Sequence, residues 1–297
     1  MKNLRSLILL GMIANPFMHG CTHWFMENQK PALVRKKLEA LEASSGGRIG
    51  LSVVNAANEM PIQFRAYERF PFCSTVKTVI VGAILKKSEV DHQLLQERVL
   101  YKEADIKESG YAPITAKYLN SGMTIAELSA ATLQYSDNAA ANLLIRKLGG
   151  PAAITAFAKS QGDNKFRLDR WEPELNSAIP SDPRDTSTPA AMAKILQSLT
   201  LGNALGSAQR EMLIDWLKGN TTGDTRIRAG VPNEWIIGDK TGTCDYGTTN
   251  DIGIVWPING SPSIVAIYYT QNEKDAASRS EVIASAMRIL VDSHVFQ

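Results

Sequence analysis

The chain has 297 residues, enough for one large domain or two lobes at about 150 residues per domain. It is 44% hydrophobic and 21% charged, the balance of a soluble globular protein able to bury a sizeable core. The formal net charge is +2 and no long Lys/Arg block occurs, which excludes the electrostatic footprint of a nucleic-acid binder.

In chain order, Lys2 and Arg5 precede "SLILLGMIANPFM", an apolar stretch too short to span a bilayer but suited to a secretory leader over residues 1–21. The following "HGC" resembles a lipoprotein cleavage box with Cys21 as the acylated residue, although Met18 and His19 match that box poorly. The alternative is a plain leader cut before the first helix. That helix is expected in "ALVRKKLEALEASSGG", from about residue 32 to Gly46–Gly47. "RIGLSVVNA" reads as a strand. "TVIVGAIL" is apolar on every side, as a buried helix is. Thr124 and Glu127 form a capping box for "IAELSAATLQY", and "NAAANLLIRKLGG" is a further helix ended by Gly149–Gly150. Pro151 and Pro189 open two more at a favoured first position. The tail changes character: "EWIIGDKTGTC", "NDIGIVWPI" and "PSIVAIYYTQ" are β-rich, and a last helix runs through "SEVIASAMRILVDS". Strands at both ends with helices between predict one antiparallel sheet, an α/β lobe of residues 30–68 and 220–297, and an inserted helical lobe of residues 69–219. The cleft between them is the default site.

Only four histidines occur, His19, His23, His92 and His294, and no Cys/His spacing fits zinc. A Ser-His-Asp triad and a metal are therefore not expected, and any nucleophile must find another base. If Cys21 leaves with the leader or carries lipid, Cys73 and Cys244 remain. They form either one disulfide or two buried free thiols.

Ser74 and Lys77 stand three apart, on one face of a helix. Ser74 falls at the helix N-terminus, where free N–H groups favour a developing anion. Its hydroxyl needs a base, and Lys77 can serve if its pKa lies well below about 10.4. Alone, the pair is equally an N-cap serine with a solvated lysine. "YSDN" adds Ser136, Asp137 and Asn138 between two helices, and "DKTGTC" adds Lys240, Thr241, Gly242 and Thr243 at a strand end. In this order and spacing the three segments resemble the penicillin-recognising serine enzymes.

"FRLDRWEPELNSAIPSDPRDTSTP" resembles the Ω-loop of class A serine β-lactamases, here residues 170–185, with Glu172 and Asn176 at the spacing that holds a hydrolytic water and Arg170 and Asp185 as the salt bridge at its ends. The resemblance covers about residues 35–290, including "ITAKYLNSGMT", "LGGPAAIT" and "GNTTGDTRIRAG". It implies an α+β fold, an antiparallel five-stranded sheet flanked by helices with an inserted all-helical lobe. It also implies hydrolysis of penicillins and cephalosporins through an acyl-enzyme on Ser74. Lys77 and Ser136 relay protons. The N–H groups of Ser74 and Thr243 form the oxyanion hole, and Glu172 with Asn176 holds the deacylating water. The acylation base is Lys77 or Glu172 acting through water. Lys240, Thr241, Gly242 and Thr243 recognise the substrate carboxylate, helped by Arg226, since "YGTTN" lacks an arginine that many relatives carry. Asn138 takes the acylamide group, and Tyr111 is the aromatic gate.

If the Ser74 and Thr243 N–H groups meet at one oxygen, Cys73 and Cys244 come within disulfide reach. That pairing, with "RFPFCS" and "WLKGNTTGDTRIRA", is most similar to the carbapenem-hydrolysing class A subgroup. Val76 departs from it, since relatives often carry Phe there. The resemblance implies no cofactor, small-molecule partners, a monomer, and export to the bacterial periplasm, with membrane attachment only through a lipidated Cys21. The competing readings are a penicillin-binding DD-peptidase, which lacks the water site, and a penicillin-sensing domain.

Overall fold

The structure is a computed structural model that describes residues 30–55 and 61–296, and the backbone alone over 17–29. The expected leader and the Cys21 acylation site lie outside the residues described with side chains. Nine α-helices occur among the described residues: α1 Phe17–Ser45, α2 Val76–Ser88, α3 Glu103–Ser109, α4 Ile125–Gln134, α5 Asn138–Leu148, α6 Pro151–Ser160, α7 Pro189–Thr200, α8 Ser207–Lys218 and α9 Ser280–Asp292. Five strands, β1 Arg48–Asn55, β2 Ile62–Phe64, β3 Ile236–Thr243, β4 Thr249–Trp256 and β5 Ser263–Thr270, form an antiparallel sheet in the order β2-β1-β5-β4-β3. Both ends of the chain thus build one sheet, as expected.

Alternation along the central strands gives the sheet two apolar faces. Ile252, Ile254, Ile264, Ala266 and Tyr268 join the core beneath the helices of residues 76–218. Ile237, Val255, Val265, Ile267 and Tyr269 join a second core under α1 and α9, with Val34, Leu38, Ile283 and Met287. α1 begins well before residue 32. Among the residues described with side chains, the apolar periodicity that locates the helix lies where it packs, at Val34, Leu38 and Leu41. The segment that carries Ser74 and Lys77 is placed by α2. Every residue from Val76 to Leu85 is buried, so this helix is surrounded and carries its N-terminus into the centre of the molecule. Val76 is fully buried, consistent with a packing role.

The local signals act as chemistry dictates. Thr124 Oγ1 accepts the Glu127 N–H at 3.1 Å while Glu127 returns to the Thr124 N–H at 2.7 Å, closing the capping box of α4. Gly149 ends α5 in the left-handed region at φ 101°, where a Cβ would be strained. Pro189 sits in the first turn of α7, capped by Thr188. α7 falls within 69–219, yet it packs on β1 and β5, so one face of the sheet is covered by a helix from the inserted segment. α3, α8 and the three-residue edge strand β2 were not singled out from the sequence.

Candidate active site

A single 3₁₀ turn, Cys73–Thr75, leads into α2 and carries Ser74. Lys77 follows one turn later and is fully buried. Its Nζ lies 3.0 Å from Ser74 Oγ, 2.7 Å from Ser136 O, 3.3 Å from Ser136 Oγ, 2.6 Å from Asn138 Oδ1 and 3.1 Å from Glu172 Oε1. An ammonium has three N–H bonds, so these oxygens compete for its protons. Burial pushes the Lys77 amine below the usual lysine range, and the Glu172 carboxylate pulls the other way. The group therefore stands where a proton can pass between Ser74, Ser136 and Glu172.

The loop between α4 and α5 supplies the second element. Ser136 adopts φ 57°, and its Oγ accepts from both Lys77 and Lys240, the latter at 3.1 Å. Asp137 is the helix cap beneath it. Its carboxylate accepts the N–H groups of Ala140, Ile114 and Thr115, each at 2.9 Å, and so holds the loop to residues 114–115. Asn138 donates to Ser109 O at 3.1 Å while accepting from Lys77.

The Ω-loop brings the carboxylate. Arg170 Nε pairs with Asp185 Oδ2 at 2.5 Å, and Asp185 Oδ1 accepts the N–H groups of residues 169 and 170, closing the neck. The main-chain carbonyl of Asp185 accepts the Phe72 N–H at 3.2 Å, tying the neck to the turn that carries Ser74. Inside the loop, Ser74 Oγ reaches Glu172 Oε1 at 3.5 Å and Asn176 Nδ2 donates to Glu172 Oε2 at 2.5 Å. Asn142 on α5 brackets the Glu172 backbone, accepting its N–H at 3.0 Å and donating to its carbonyl at 2.9 Å. This residue escaped sequence reasoning. Its only signal was a place one helical turn after Asn138.

β3 closes the far wall. Lys240 is fully buried. Burial first, then the neighbouring charges of Lys77 and Arg226, hold its amine well below the usual lysine range. Gly242 is required here, because a Cβ would lie 2.8 Å from Phe72 O and 3.1 Å from Cys73 Cβ. The close approach permits the Cys73–Cys244 disulfide, with Cα atoms 5.7 Å apart. Arg226 is 7% exposed and donates to Gly242 O at 2.8 Å, Asn250 O at 2.6 Å and Thr243 Oγ1 at 2.6 Å. Thr222, given no role from the sequence, shares a 2.5 Å hydrogen bond with Thr241 Oγ1.

Ser74, Tyr111, Ser136, Asn138, Asn176, Thr222, Arg226, Thr241 and Thr243 line one pocket of about 300 Å³. Tyr111 stands half-exposed at its edge. Lys77, Glu172 and Lys240 are buried and bond the lining residues Ser74, Asn176 and Ser136, while the Arg170–Asp185 pair, the close approach at Gly242 and the disulfide tie together the segments that carry the lining. All the expected site residues thus belong to one locality. A serine hydroxyl, a buried amine and a buried carboxylate around a pocket with cationic backing have the layout of a hydrolase for an anionic substrate.

Comparison with known proteins agrees. The family model described as "Beta-lactamase enzyme family" matches residues 33–293. A "Beta-lactamase" of Citrobacter koseri is 53% identical over 98% of each chain. "Beta-lactamase CTX-M-97" of Escherichia coli is 55% identical over 86% of this chain and 88% of its own. The crystal structure of a β-lactamase from Desulfarculus baarsii superposes with a TM-score of 0.86 at 50% identity, covering 88% of this chain and 97% of that one. The chain belongs to the beta-lactamase enzyme family. Its activity is β-lactam hydrolysis, the activity of an antibiotic-resistance enzyme.

Proposed function

We propose that the chain is a class A serine β-lactamase that turns over penicillins, cephalosporins and carbapenems through an acyl-enzyme on Ser74. The observation that carries this reading is the buried Lys77 Nζ, 3.0 Å from Ser74 Oγ and 3.1 Å from Glu172 Oε1. Ser74 Oγ attacks the β-lactam carbonyl as its proton leaves toward Lys77, or toward Glu172 through water. The N–H groups of Ser74 and Thr243 hold the oxyanion, a donor contribution of about 3 kcal/mol each. Ser136 protonates the departing ring nitrogen and is resupplied by the lysines that touch its Oγ. Glu172 and Asn176 then position the water; Glu172 takes its proton as the oxygen attacks the acyl carbonyl, the bond from that carbon to Ser74 Oγ breaks, and the proton passes to Oγ, which regenerates Ser74. Lys240, Thr241, Thr243 and Arg226 attract the substrate carboxylate. Asn138 takes the acylamide, and Tyr111 flanks the entrance.

Carbapenem turnover is supported by the Cys73–Cys244 bridge and by Thr243, whose hydroxyl is held by Arg226. The bridge also supports export to the bacterial periplasm, since disulfides persist in oxidising compartments.

The test follows imipenem and benzylpenicillin absorbance with the purified enzyme, together with the intact mass of a Glu172→Ala variant. Steady loss of both substrates, and a persistent penicilloyl adduct only in the variant, are expected. A stable imipenem adduct in the wild type removes the carbapenem assignment. A single-equivalent burst with both substrates in the wild type refutes the hydrolytic reading and favours a DD-peptidase or a sensor.

A further inference from the structure

Behind the recognition strand, on the sheet face that carries α1 and α9, the mechanism leaves a buried carboxyl group unused. Asp251 is fully buried in β4. In register it faces Thr241 on β3 and Ile267 on β5. Its Oδ2 accepts the Ile227 N–H at 3.1 Å, and its Oδ1 has no hydrogen-bond partner among the described residues. No ion pair involving it occurs among those residues.

The charged groups around it are committed elsewhere. Arg226 donates to Gly242 O, Asn250 O, Thr243 Oγ1 and Ser280 Oγ. Arg228 pairs with Asp239 at 2.7 Å and reaches the exposed Asp224 at 3.8 Å. Lys240 donates to Ser136 Oγ and Thr241 O. α9 contributes the buried apolar Ile283 and Met287 to this face. A buried carboxylate with one hydrogen bond and no ion pair neutralises instead of staying charged. Burial first, then the neighbouring Asp239, push the Asp251 carboxyl well above the usual carboxylate range.

We propose that Asp251 is held as the neutral acid and is a positioning residue for the arm that recognises the substrate carboxylate. Its carbonyl oxygen fixes the Ile227 N–H, and with it the turn that presents Arg226 against β3. Its neutrality leaves the charges of Arg226 and Lys240 uncancelled from behind, so their field remains available to an anion in the pocket. An ionised Asp251 would weaken that field. The role rests on the reading of Arg226 and Lys240 as carboxylate-recognising groups; the protonation state does not.

The experiment uses the full-length protein with two variants, Asp251→Asn and Asp251→Ala. The amide of Asn is neutral and keeps an acceptor for Ile227; Ala removes it. Infrared difference spectra at neutral pH, wild type minus Asp251→Asn, are expected to contain a carboxylic-acid C=O band. A carboxylate band alone overturns the proposal. For benzylpenicillin, Asp251→Asn should keep KM within about twofold, whereas Asp251→Ala should raise KM about fivefold or more with kcat little changed. A KM for Asp251→Asn about tenfold lower than wild type would show that an ionised Asp251 had been opposing the recognition charges, and would overturn the proposal. An unchanged KM in Asp251→Ala overturns the positioning role. Should the Ala variant not fold, the spectrum and the Asn variant still decide. Absence of turnover in all three proteins would refute the functional reading, and the infrared result would stand independently.

Discussion

Replacing both halves of the Cys73–Cys244 bridge by serine separates its contribution to stability from its contribution to catalysis. The bridge spans 171 residues, which include helices α2 to α8. Chain entropy for so long a loop sets a ceiling of about 5 kcal/mol on the stabilisation. The junction has other ties. Asn250 Nδ2 donates to Pro71 O at 2.8 Å and Phe72 O at 3.3 Å, and Gly242 lets β3 lie against the Ser74 turn. The variant should therefore keep the site assembled while losing about 3 kcal/mol, which lowers Tm by roughly 6–12 °C for a protein of this size class. Urea unfolding and calorimetry of oxidised wild type, reduced wild type and variant measure that loss. Penicillin kcat/KM at a temperature where all three are folded should fall less than about tenfold. A stability change below about 1 kcal/mol would refute the entropic argument. Complete inactivation of a folded variant would show that the noncovalent ties do not hold the geometry.

Asn142→Leu removes both hydrogen bonds to the Glu172 backbone and one to Ser109 Oγ, at a cost of about 1–3 kcal/mol in stability. Pre-steady-state kinetics should show deacylation slowed more than acylation, because the proposed mechanism gives Glu172 the second step. For Lys240, the folded state binds its proton less tightly than the unfolded chain, where lysine titrates near about 10.4. Unfolding thus takes up a proton, and stability contributed by this group rises with pH between the depressed native value and that reference. Lys240→Met should be more stable than wild type in urea at neutral pH, lose that slope, and raise the KM for penicillins.

Local chemistry accounts for what could be read early. The Thr124–Glu127 box, the Asp137 cap and the left-handed Gly149 act within a few residues of themselves, so helix ends are legible in one dimension. The Ser74/Lys77 pair is legible for the same reason: one helical turn sets its spacing. The edge strand β2 and the helices α3 and α8 were not legible. β2 has only three residues, and α8 buries only Leu213 and Leu217, so their apolar patterns are weak.

The site divides along the same line. By itself the sequence marked the candidate residues: Ser74 and Lys77, the Ser136–Asn138 loop, Glu172 in the Ω-loop and the Lys240 strand. Each of these is a short segment whose residue types carry the chemistry in place. Only the tertiary structure decided that Asn142 grips the Glu172 backbone, that Thr222 bonds Thr241, and that Arg226 stands behind Gly242 and Thr243 with Asp251 close by. An asparagine, a threonine and an aspartate are ordinary in any helix, loop or strand. Their meaning comes from burial and from partners up to tens of residues away along the chain, and those are set only when the helices pack on the sheet.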